Sequence, residues 1–208
     1  MAIIHMKIKP SQPYQPLLLR LLHSVNAFLV IGALISGFLV YDSWDGRFGG
    51  LGLFRKNREL IDIHGTFGFF LLFAFIAFAI YSIRIGRKRL APADTAKKLQ
   101  QVGKPIWWWT LHQLANTLML VAVTLAVVSG KLQNEHWLPK GQLNHPAYLA
   151  HLLAWLILAL SLGLHLLMSA KAGGLALWQS MVNVNYRAEE DPRQWPAKVR
   201  DWLRHPHW

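Results

Sequence analysis

An all-α integral membrane protein, a four-transmembrane-helix bundle with both termini cytoplasmic and an interfacial C-terminal tail, is predicted by three features of the sequence. The apolar residues fall into four blocks of about 20 to 28 residues almost free of charge, the length a helix needs to cross roughly 30 Å of hydrocarbon. Of the 208 residues, 53% are hydrophobic and only 15% charged, too few to give soluble amphipathic helices a polar face each. The charges that remain are also unevenly shared among the segments between the blocks.

That charge pattern accounts for the net +12. Lys7, Lys9 and Arg20 make the N-terminal end basic. In the first loop Arg47, Arg55, Lys56 and Arg58 are balanced by Asp42, Asp45, Glu59 and Asp62. The second loop sets Arg84, Arg87, Lys88, Arg89, Lys97, Lys98 and Lys104 against Asp94 alone. The third loop is nearly neutral and the tail mildly basic. Basic residues therefore gather in alternate segments, and the positive-inside rule makes the two termini and the second loop cytoplasmic. The excess is a topology signal, and nucleic acid is not expected as a partner. Cysteine is absent, which excludes disulfides, thiolate-bound metals and iron–sulfur clusters.

Residues 1–16, with Pro10, Pro13 and Pro16, read as an extended arm. No small-residue cleavage pattern follows the first block, so a retained helix is expected there, from about Leu17 to Tyr41, carrying His23. The second span runs from about Leu60 to Ile83 with His64 near its start. The third begins at the interfacial Trp107, Trp108 and Trp109, carries His112 and ends near Gly130. The fourth, from Asn144 to Ala170, carries His151 and His165. Residues 17–170 are thus the membrane domain. Residues 171–208 turn through Gly173 and Gly174 into a segment too short to span, then a charged, tryptophan-bearing tail suited to the interface. No internal repeat is evident.

Placing the histidines by depth gives two pairs. The first span starts on the cytoplasmic side, so His23 lies at that level; the second starts outside, so His64 lies at the outer level. The fourth also starts outside, which puts His151 at the outer level and His165 at the cytoplasmic one. The fourteen residues between them advance a helix by about 21 Å and return it to within roughly 40° of its first direction. One face of one helix therefore offers an imidazole at each depth, to be met by His23 with His165 and by His64 with His151. Ionisable residues inside a span are functional by default.

The donor set narrows the chemistry. Zinc takes four ligands or three plus water, and non-haem iron or manganese takes carboxylates, which these spans lack. Haem brings four nitrogens of its own and asks for two axial ligands. Two bis-histidine b haems stacked across the membrane fit the ligand count without remainder. Gly37, fourteen residues after His23, and Gly68, one turn from His64, would clear space for the outer porphyrin; for Gly68 close helix packing explains a glycine equally well. His112, Gln113 and Asn116 share the cytoplasmic level, where contacts to a haem propionate or a quinone, replacement of an axial ligand by His112, or a plain interfacial role all stay open. Arg20 is placed to neutralise a propionate, while Arg84 to Arg89 read as topology anchors. His136, His145, His205 and His207 read as solvated, and His5 has no assigned role.

The stretches RLLHSVNAFLVIGALISGFLVY, DIHGTFGF, LHQLANTLML and HLLAWLILALSLGLH together resemble the bacterial cytochrome b561 family, related to the cytochrome b subunits of nickel–iron hydrogenases and respiratory formate dehydrogenases. The resemblance covers about residues 17–170. It implies that His23, His64, His151 and His165 match, one by one, the four histidines that ligate two b haems. It also implies electron transfer between the two membrane faces, typically to or from a quinone pool, and it matches His112 to a histidine whose role varies in the family. Nothing beyond Lys171 is carried over. The expected function is transmembrane electron transfer, as a quinone-linked oxidoreductase or its membrane subunit, with the bilayer, a quinone, and a redox partner subunit or second copy in a homodimer as partners. A haem-binding structural or assembly subunit is the alternative. A metal or proton transporter is a weaker one, because midplane carboxylates and broken helices are lacking.

Overall fold

The computed structural model describes residues 14–205, all helical or irregular, with no strand among them. The expectations for residues 1–13, including His5, Lys7 and Lys9, and for His207 lie outside these residues. Four helices are long and apolar enough to cross a membrane: α1 (Leu17–Trp44), α2 (Glu59–Arg84), α4 (Pro105–Lys131) and α5 (Pro146–Val182). Short α3 (Thr95–Leu99) lies in the second loop and α6 (Trp195–Arg204) in the tail. Local chemistry sets the boundaries. Pro105 and Pro146 open α4 and α5 at positions where a missing N–H costs nothing. Glu59 and Asp62 in the first turn of α2 and Arg84 in its last complement the helix dipole.

The four long helices form two antiparallel hairpins, α1 with α2 and α4 with α5. Each pair packs closely, whereas the hairpins meet each other sparsely, through α1 on α5 and α2 on α4. At mid-height Leu29, Val30, Leu34, Leu71, Phe75, Ala122, Val123 and Leu158 make the shared core. Trp155 bridges the hairpins there, its Nε1 donating to the Leu34 carbonyl at 2.9 Å. Outward faces stay apolar and exposed, as at Phe28, Phe69 and Leu160, which is stable only against lipid. The chain is an integral membrane protein.

Loops segregate to the two ends. At one end Arg89 donates to Gln15 (2.8 Å), while Arg20 donates to the carbonyls of Asn183 and of Asn185, the latter at 2.8 Å. At the other, Arg47 reaches Asn144 Oδ1 and the Leu143 carbonyl, both at 2.8 Å, and Tyr148 donates to Asp45 at 2.9 Å. The ionised Asp45 beside Arg47 pushes that guanidinium further above its ordinary value. The 37 residues of α5 would reach about 55 Å if straight, far beyond the hydrocarbon. The helix breaks instead at Gly174, whose φ of 59° and ψ of −160° suit glycine alone.

Candidate functional site

Two levels of paired imidazoles lie between the hairpins, about 21 Å apart along α5 by the fourteen residues from His151 to His165. At the end where α1 begins, His23 of α1 faces His165 of α5 with ring centres 6.3 Å apart. At the other, His64 of α2 faces His151 of α5 at 5.9 Å. The structure thus brings together the four histidines in the two pairs expected from depth. A metal–imidazole bond of about 2 Å on each side, plus about 1 Å from each nitrogen to its ring centre, separates two such rings by roughly 6 Å.

Hydrogen bonds fix which nitrogen of three of these rings is free. His151 Nδ1 lies 3.0 Å from the Ala126 carbonyl, an acceptor only, so Nδ1 carries the proton and Nε2 keeps its lone pair. His165 Nδ1 lies 2.7 Å from Asn116 Oδ1, and that amide is oriented by its own Nδ2 donating to the Arg89 carbonyl at 2.9 Å. His64 Nδ1 meets Ser36 Oγ at 3.1 Å, and Ser36 spends its own proton on the Gly32 carbonyl at 2.6 Å, so the ring again donates. Each Nε2 is left as a metal ligand would need it. His23 has no hydrogen bond among the described residues and packs edge-on against Phe78.

Glycine lets the outer rings approach the neighbouring helix. A Cβ at Gly37 would sit 3.0 Å from His64 Cε1, and one at Gly130 would sit 3.2 Å from His151 Cε1. Ser129, beside Gly130, repeats Ser36: it donates to the Leu125 carbonyl at 2.6 Å and lies 3.1 Å from His151 Nδ1. Ser36, Ser129 and Gly130 escaped the reading of the sequence. The dipeptide Ser-Gly near the same end of the first and third spans, in ISGFL and VSGKL, is the signal that pointed to them. At Gly68 an added Cβ meets no protein atom within 4 Å.

The other candidates cluster at the His23/His165 end. The buried His112 ring is centred 5.1 Å from His165, and its Nε2 pairs with Ser169 Oγ at 3.1 Å. Gln113 donates to the Lys88 carbonyl at 2.8 Å. Arg20 is 4% exposed, with both its terminal nitrogens on the tail carbonyls and a buried Nε that has no partner among the described residues.

Among the described residues no three His, Cys, Asp or Glu side chains converge on one point. Paired neutral imidazoles between sparsely packed hairpins suit a group that brings its own equatorial ligands and fills the space between helices, as haem does. The family model for prokaryotic cytochrome b561 matches residues 14–183. The chain belongs to that family. No curated protein and no solved structure matches the chain. As a cytochrome b561 it is a membrane haem b protein of electron transport. The match extends past Lys171 to take in the Gly174 break and Asn183, further than the resemblance read from the sequence.

Proposed function

We propose that this cytochrome b561 carries two b haems and passes electrons from one membrane face to the other. His23 and His165 hold the cytoplasmic-side haem, His64 and His151 the outer one, and α5 supplies a ligand to each. The observation that carries this reading is the pairing at two levels, with acceptors on Nδ1 that leave Nε2 of His64, His151 and His165 free. Haem held by these residues would supply one-electron exchange. The chain does the rest: it fixes the ring tautomers, excludes water with an apolar shell, and spaces the two levels by about 21 Å. Gly37 and Gly68 leave room beside the outer pair.

A quinone is the two-electron partner, at the cytoplasmic level. Gln113 and Asn116 each turn an amide N–H onto a second-loop carbonyl, and the buried His112–Ser169 pair, its ring centred 5.1 Å from that of His165, is the polar contact for a quinone carbonyl. The buried Nε of Arg20, without a partner among the described residues, is the donor there for a propionate. Residues 17–170 form the haem domain, with both termini cytoplasmic and 171–208 resting at the interface. A pyridine haemochrome assay with a reduced-minus-oxidised spectrum tests the reading. Two b haems per chain are expected, and a colourless protein overturns it.

A further inference from the structure

Ser36–Gly37 on α1 and Ser129–Gly130 on α4 form one device built twice. Each lies on the first helix of its hairpin and meets the outer histidine of the second helix. Each serine donates to the carbonyl four residues back at 2.6 Å, a bond that commits its only proton. Its oxygen can then only accept, and what it faces at 3.1 Å is Nδ1 of His64 or of His151. The following glycine brings the ring edge to within 3.0 or 3.2 Å of where a Cβ would stand. Serine alone at mid-helix is common, and so is glycine. The same pair against the same atoms of both outer rings is not explained by helix packing.

The inner level is built differently. His165 is held by an asparagine and His23 by no hydrogen bond among the described residues. Only the outer pair has both imidazoles donating to matched acceptors.

We propose that Ser36 and Ser129 are positioning residues for the outer haem, Ser36 locking His64 as the Nδ1–H tautomer and Ser129 adding a second acceptor to the Nδ1–H that the Ala126 carbonyl already engages on His151, and that together they hold that haem's midpoint potential below the value it would have without them. An imidazole whose N–H is engaged by an acceptor is a more basic ligand and favours the ferric state. This rests on the two-haem reading above.

The test is a spectroelectrochemical titration of the purified holoprotein, with the outer haem identified as the one missing from His151→Ala. In Ser36→Ala, in Ser129→Ala and most strongly in the double variant, the outer haem's potential is expected to rise while the inner stays put. Ser→Thr at either position, which keeps the hydroxyl, is expected to restore it. Loss of the outer haem alone from the double variant also supports the assignment. An unmoved outer potential, an equal shift at both haems, or loss of both haems overturns it. Failure of the two-haem reading is seen separately, in the parent protein, as fewer than two haems per chain.

Discussion

In the two-haem reading each level rests on two imidazoles, and the levels differ in what holds those rings. His151 is seated by a serine and a carbonyl on α4, so His151→Ala is expected to remove the outer haem and leave the inner, read as one b haem per chain. Loss of the haem paired with His23 instead would reverse the assignment of depths. His165 depends on Asn116, which bonds at once to the ring and to the Arg89 carbonyl. Asn116→Leu leaves both groups without partners, at on the order of 1–3 kcal/mol each, and is expected to loosen the inner haem first, as faster loss during thermal denaturation. Gly68→Ala separates the two accounts of that glycine. No protein atom stands in the way of the new methyl group, so a fall in outer-haem content would come from the porphyrin, and unchanged content would leave Gly68 a packing residue. The histidine pairs were legible because depth follows from span order, and span order from hydropathy. The groups that hold the rings were not. Asn116 and Gln113 look, from sequence, like residues waiting for a ligand, but each turns an amide N–H onto a carbonyl of the second loop, and a backbone carbonyl leaves no mark on a sequence.

Among the elements, the tail is the one whose placement depends on contacts rather than on hydropathy. The glycines at 173 and 174 announced a turn, and Gly174 makes it. What lies beyond was invisible, because Arg20 is met by main-chain oxygens. Tyr14 adds to this clasp: it donates to Glu190, and the Arg187 guanidinium stacks 4.0 Å from its ring. Burial, and then the Glu190 carboxylate, push the Tyr14 phenol above its ordinary value. A group whose pKa is raised on folding contributes stability that is complete below its unfolded value, about 10 for tyrosine, and lost as pH climbs through the folded one. The clasp is therefore expected to hold at neutral pH and to open only above about pH 10. Spin labels on cysteines introduced at Leu18 and Ala188 would report the opening as a broadened distance distribution, and Tyr14→Phe should abolish that alkaline step.

For the molecule as a whole, the sparse meeting of the two hairpins matters most. With little protein holding them together, whatever fills the space between them contributes much of their association, and a ligand that binds only the folded state stabilises it by mass action. Removing haem is expected to lower the melting temperature sharply. A protease site placed at the exposed Val102 should give two halves that stay together with haem and separate without it, read by size-exclusion chromatography. Halves that stay together without haem would show that α1–α5 and α2–α4 packing suffices. The absence of cysteine also makes sidedness measurable. A single cysteine at Val102 should react with an impermeant thiol reagent from the cytoplasm, and one at the exposed Leu51 from outside.

The break at Gly174 has a consequence for how the protein is made. Arg20 sits near the start of the first span, but the carbonyls that receive its guanidinium belong to residues 163 and 165 positions later. During synthesis the first helix is made before those two carbonyls exist. Only when the last span has inserted and the chain has turned back at Gly174 can Asn183 and Asn185 arrive. That contact, like the one between Tyr14 and Glu190, thus closes only when every span before it is in place, and a chain cut short after Val182 would lack both carbonyls that Arg20 meets.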